Sequence, residues 1–237
     1  MKKIIALTVL LLSSASTFAH YLWIETNAQG EIGKEQEIKV HFGEYTYGVI
    51  EEVEGEAFSK VNKFSLWVVS PSGEKQLLET SAEKDHYKAL FTPKEKGTYT
   101  VLLNNNEIDV IDYTQYDFGI FKTHYHSVAN INVDNKNNTA TQNETGITVK
   151  RIATDNNEVK LQVLYKNEPL AKNEVQIYVT DLWSKTLHTD EEGYISFKQP
   201  WETKYIVETT YKEEVPGTYN DEDYEFIWHC ATYCIPE

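Results

Sequence analysis

The stretch Gly97-Thr98-Tyr99-Thr100-Val101-Leu102-Leu103 decides how this chain folds. A glycine leaving the turn that starts at Pro93, followed by polar and apolar residues in alternation, carries the two-residue side-chain period of a half-buried strand. The same period recurs along the whole chain. It predicts strands from Tyr21 to Thr26, Glu37 to Phe42, Phe64 to Ser70, Lys75 to Glu79, Tyr87 to Phe91 and Tyr99 to Leu103. Further on it predicts strands at Ile147 to Val149, Val159 to Leu164, Val175 to Val179, Ile195 to Phe197 and Tyr205 to Thr210. Pro71-Ser72-Gly73 has the residues of a tight hairpin turn. The glutamate-rich segment from Tyr47 to Asn62 predicts a surface loop or short helix. Long helical periodicity is missing beyond the first residues, and 16 tyrosines against 6 prolines suit pleated backbone. The fold class expected is all-β. Residues 131–146, which include Asp134-Asn135-Lys136-Asn137-Asn138, lack an apolar period and read as a linker or long loop between a sandwich over 20–130 and a second over 147–237.

The first residues have a different character. Lys2 and Lys3 precede an apolar run from Ile4 to Leu12, and Thr17-Phe18-Ala19 ends in the small residues that a signal peptidase needs. Residues 1–19 are therefore expected to be a signal peptide, and the protein periplasmic or secreted. Cleavage there would make His20 the N-terminus, where a freed α-amine, of pKa near 8, and the Nδ1 of the same residue can chelate one metal ion. Cleavage after Ala15 or Thr17 would abolish that chelate. No later apolar run approaches the roughly 20 residues of a membrane helix, so direct membrane insertion is not expected. The net charge of −15, two units more negative once Lys2 and Lys3 leave, repels nucleic acid and raises the local concentration of cations. Cys230 and Cys234 are too few for a disulfide framework. In an extended strand their Cα atoms would stand about 13 Å apart, so a bridge requires a turn at Ala231-Thr232-Tyr233.

Two segments carry a resemblance. The runs Glu168-Pro169-Leu170-Ala171-Lys172-Asn173-Glu174-Val175 and Leu187-His188-Thr189-Asp190-Glu191-Glu192-Gly193-Tyr194-Ile195-Ser196-Phe197 resemble the prealbumin-like sandwich of carboxypeptidase regulatory domains. Asn167 and Asn173 stand where glycines usually flank the Pro-Leu pair, and asparagine also tolerates the left-handed conformation. With Ala19-His20-Tyr21-Leu22-Trp23 and His229-Cys230-Ala231-Thr232 included, the whole chain is similar to the DUF4198 family. The resemblance implies two immunoglobulin-like or prealbumin-like β-sandwiches. It also implies an exported bacterial protein of the kind labelled as the periplasmic component of nickel or cobalt uptake. Its expected partners are the metal ion and a membrane permease or outer-membrane receptor.

The histidines supply the candidate site. If Phe121 to Val128 is a strand, His124 and His126 share a face with Cβ atoms about 7 Å apart, within reach of one ion. The other reading is a solvent-facing pair among Thr123, Tyr125 and Ser127. On a strand, His229 would share a face with Ala231 and Tyr233 while Cys230, Thr232 and Cys234 point away. It is then a ligand or a hydrogen-bonded residue packed on Trp228, and a dithiolate at the two cysteines is a further alternative. His41 falls on the face of Lys39, predicted to be solvent and inert. His188 belongs to a turn, and His86 reads as a loop residue ahead of a ligand. The metal site expected is His20, His124, His126 and His229; neutral imidazole suits copper, nickel, zinc or iron, the resemblance implies nickel or cobalt, and the ion expected is Cu, Ni or Co.

No Gly-x-Ser-x-Gly elbow, phosphate loop, His-Glu-x-x-His or dinucleotide fingerprint is present, so an enzyme is not expected. Two other classes stay open. One is a metal-free adhesive, scaffold or carbohydrate-binding module. The other is a copper enzyme that binds its metal through an N-terminal histidine.

Overall fold

A computed structural model of the protein describes residues 20–134, 143–152, 154 and 158–236. The expected signal peptide and the centre of the expected linker, 135–142, lie outside the described residues. The strands that carry the fold in the first half are β1 (Tyr21–Thr26), β2 (Gln36–Glu44), β3 (Ser65–Val69), β4 (Tyr87–Phe91), β5 (Gly97–Asn105) and β6 (Ile120–Val133). Those of the second half are β7 (Ile147–Ile152), β8 (Glu158–Tyr165), β9 (Glu174–Tyr178), β10 (Ser184–His188), β11 (Tyr194–Lys198), β12 (Tyr205–Glu213) and β13 (Phe226–Ile235). Helix among the described residues is confined to Glu56–Ser59 and two single 3-10 turns, Tyr45–Tyr47 and Thr114–Tyr116. The all-β sandwich fold expected from the period-two pattern is the fold observed.

Three sheets are stacked, and the middle one is shared. It runs in the order β10-β9-β12-β13-β6-β5-β3, so strands of both halves lie in a single sheet. The join is the β6–β13 pair, which is parallel, whereas the neighbouring pairs in this sheet are antiparallel. Sheet β1-β2-β4 packs on one face, burying Leu22, Ile24, Ile38, Val40 and Phe42 against Val101, Leu103 and Ile131. Sheet β7-β8-β11 packs on the other, burying Ile147, Val149, Leu161 and Val163 against Val175, Ile177, Val207 and Tyr233. Alternation along β13 serves both cores at once. Ala231 and Tyr233 join the second, while the Thr232 hydroxyl donates to the Leu22 carbonyl at 2.8 Å on the opposite face.

Several local expectations change. β10 carries no period-two signal because four of its five residues are exposed, as suits a sheet edge. Of the two asparagines expected in left-handed turns, Asn167 adopts one at φ 72°, but the second turn places Lys172 there at φ 56°. Asn173 instead donates from Nδ2 to Thr209 Oγ1 at 2.7 Å. Trp23 is fully buried as expected of a core residue, whereas Trp201 is exposed. Both cysteines are free and lie on β13 with no turn between them.

Candidate functional site

His124 and His126 do share a face of β6, and the parallel register of β6 with β13 sets His229 directly opposite His124. That face is covered by the second sandwich, so the solvent-facing alternative fails for His126, 3% exposed, and His229 beside it is 1% exposed. The three rings gather within a small volume. His229 lies with its centroid 5.2 Å from each of the other two, and His124 and His126 are 6.5 Å apart.

One hydrogen-bonded chain threads the cluster. Asn143 Nδ2 donates to Asn104 Oδ1 at 2.7 Å, and His126 Nδ1 lies 2.7 Å from the same oxygen. An amide oxygen only accepts, so His126 Nδ1 carries the hydrogen and its Nε2 is the acceptor. His229 Nδ1, 2.9 Å away, then donates to that Nε2. The 5.2 Å between these two centroids equals the 2.9 Å contact plus a ring radius on each side, so the bond is in line and edge to edge. The remaining nitrogen, His229 Nε2, is thereby left with a lone pair. It accepts from the Tyr165 hydroxyl at 3.3 Å but also faces the Glu213 carboxylate at 3.1 Å. Two acceptors at that distance repel unless a proton or a cation lies between them.

The electrostatics favour an unprotonated ligand set. Burial first, then the neighbouring His229, holds His124 down to about 4. Burial likewise holds His126 well below the ordinary imidazole range, and lowers His229 despite the opposing Glu213. Burial pushes the Glu213 carboxyl up, but the hydrogen bond and charge of Lys166 beside it outweigh burial and bring the group to about 2. Lys166 Nζ sits 2.6 Å from Glu213 Oε1, leaving Oε2 toward His229. Neutral imidazoles and an ionised carboxylate are the forms that bind a metal.

His20 does not reach this cluster. Tyr125 alternates with His124 and His126, so it points to the other face, where its hydroxyl donates to the His20 carbonyl at 2.9 Å. The His20 ring contacts Glu51 Oε1 through Nε2 at 2.8 Å and packs on Phe42. Cys230 and Cys234 also lie on that opposite face, so the proposed dithiolate cannot join the imidazoles. His188 is exposed near Glu174. His41 was expected in solvent and is instead 6% exposed. Its strand β2 is covered on the outer face as well, by Trp23, which stacks on the ring. Glu213, Tyr165, Lys166 and Asn104 carried no signal in the sequence, because they reach the cluster from the ends of three different strands, β12, β8 and β5.

Residues 17–213 match the family model described as Domain of unknown function (DUF4198). The chain belongs to the DUF4198 family. No curated protein matches this DUF4198 chain in sequence. Among solved structures it is similar to a DUF4785 family protein from Legionella pneumophila, at 9% identity and TM-score 0.31, over 78% of this chain and 50% of that one. It is also similar to α2-macroglobulins of Salmonella and of Escherichia coli. Each is 11% identical with TM-score 0.31 over 92% of this chain, and the match covers 15% and 16% of those chains respectively. The DUF4198 chain thus spans half or less of the length of the solved proteins it matches.

Proposed function

We propose that this DUF4198 protein is an exported binder of a transition-metal ion, Cu, Ni or Co, which it captures or delivers in the periplasm for uptake or homeostasis. The single observation that carries the reading is the lone pair of His229 Nε2 held 3.1 Å from the Glu213 carboxylate, with His124 beside it. Two donor atoms at that separation can share one ion, with metal bonds of about 2.0–2.2 Å. In this reading His229 and Glu213 are ligands as they stand, and His124, whose ring lies 5.2 Å from that of His229, turns toward them to complete the set. His126 holds His229 in the tautomer whose Nε2 faces the metal, a supporting role that metal-binding histidines regularly require. A nitrogen-rich site of this kind ranks Cu(II) highest among the divalent ions. The acidic surface concentrates cations, and a permease or outer-membrane receptor is the partner that delivery needs. His20 stands apart as a separate chelate, open only if its amine is freed.

A second reading is favoured by the in-line His126–His229 bond. In it the cluster is a buried clamp between β6 and β13 of a metal-free scaffold. Titration calorimetry of the mature protein with Cu(II), Ni(II) and Co(II), nothing preceding His20, separates the two. Under the metal reading His124→Ala and Glu213→Gln each weaken binding by more than about tenfold. Equal affinity in both variants and the parent for all three ions overturns it and leaves the clamp.

A further inference from the structure

A second group of ligand side chains lies on the far side of the first sandwich. Alternation along β2 sends Val40 and Phe42 into the core and His41 to the outer face of the β1-β2-β4 sheet. His124 and His229 occupy the opposite outer face, beyond the shared sheet. Two sheets separate the groups.

His41 is prepared as a ligand. Its side chain is 8% exposed, and its Nδ1 donates to the Asp85 carbonyl at 3.2 Å. That bond fixes the tautomer, so Nε2 carries the lone pair. This Nε2 is buried and has no hydrogen-bond partner. An orphaned buried acceptor has lost its water and gained no partner, a cost that a bound cation removes. Trp23, stacked at 5.3 Å and 20°, prevents the ring from turning away. The same bonding pattern repeats in His86. Its Nδ1 contacts Asp85 Oδ1 at 2.7 Å, and its ring lies 5.2 Å from that of His41.

One ligand atom each from His41, Asp85 and His86 can be chosen so that all lie within 4.8 Å of one another. Ligand atoms around a tetrahedral ion stand about 3.3–3.6 Å apart, so closing the set takes a shift of roughly 1 Å, for which Asp85, with its side chain 49% exposed, has room. Glu25 adds charge from the other side. Its Oε1 is taken by Trp23 Nε1 at 2.8 Å and Lys204 Nζ at 2.6 Å, and its Oε2 stands 3.9 Å from the His41 Nε2.

We propose that His41, Asp85 and His86 form a second metal site, independent of the one at His229, that takes a divalent transition cation in mixed nitrogen and oxygen ligation, Zn(II) being its fitting occupant. Two imidazoles with one or two carboxylates match the ligand types and the four-coordinate preference of that ion. The test uses the mature protein carrying His20→Ala, His124→Ala and Glu213→Gln, which removes the first candidate site and the N-terminal histidine chelate. Zn(II) is titrated against a chromophoric chelator, and circular dichroism confirms the fold of each variant. One equivalent of Zn(II) should bind this background. Adding Asp85→Asn, a change at a half-exposed position that spares the core, should weaken it by about 10- to 100-fold. His86→Ala should do the same. Failure of the background to bind Zn(II), or unchanged affinity with both Asp85→Asn and His86→Ala, overturns the second site. Because His229 plays no part in that readout, either site can fail alone.

Discussion

Replacing Glu208 by glutamine should stabilise this protein at neutral pH, and the gain should grow as pH rises. Glu208 lies on β12 between Thr232 of β13 and Gln176 of β9 and is 8% exposed. Burial first, and then the neighbouring Glu44, pushes its carboxyl well above the ordinary range. The folded chain therefore holds a proton that the unfolded chain releases near pH 4.3. Stability from this group is full below that value and is lost as pH rises, at about 1.4 kcal/mol per unit until the folded pKa is reached. The loss continues only as far as the raised folded value, so its size over this range measures how far burial has moved the group. Glutamine has the same shape and does not titrate. Its advantage over the parent should rise with pH by at most about 1.4 kcal/mol per unit, offset by a constant for whatever its second amide hydrogen costs unpaired. Urea unfolding of both proteins at pH 5, 6 and 7, followed by tryptophan fluorescence, reads the difference directly. A pH-independent difference, or a variant that weakens relative to the parent as pH rises, would refute the reasoning.

Two further outcomes are expected from the packing. A Cβ at Gly146 would overlap the His126 ring, which Asn104 and His229 hold at both ends. Gly146→Ala should therefore lower unfolding free energy by about 1–3 kcal/mol and weaken metal binding at the His229 site while leaving Zn(II) binding at Asp85 and His86 intact; a thermal midpoint equal to the parent's contradicts the clamp. Burial raises both thiols, Cys234 to about 12 and Cys230 well above its usual value. A disulfide reagent at pH 8 should find neither in the native protein and both after denaturation, and prompt reaction of either native thiol would count against their burial.

The sequence by itself determined the sheet. Period-two alternation marked β1, β3 and β4 from end to end and parts of β2, β5, β7, β8, β9, β11 and β12, because residues facing a core must be apolar at every second position, while β6 and β13 entered only as conditional strands around their histidines. It also placed His124 and His126 on one face, and His229 on the face of Ala231 and Tyr233, since those relations are local to a strand. Only the tertiary structure decided which strands lie side by side. The parallel pairing of β6 with β13 joins residues 103 positions apart, as in the His126–His229 bond, and no local pattern encodes that choice. The same pairing brought Glu213, Tyr165 and Asn104 to the histidines from strand ends that look ordinary in isolation. It also kept His20 out, because Tyr125 turns the other side of β6 toward it. His41 shows the converse limit. Alternation correctly removed it from the core face, but its burial depended on Trp23 of the paired strand lying over it, which a one-strand pattern does not carry.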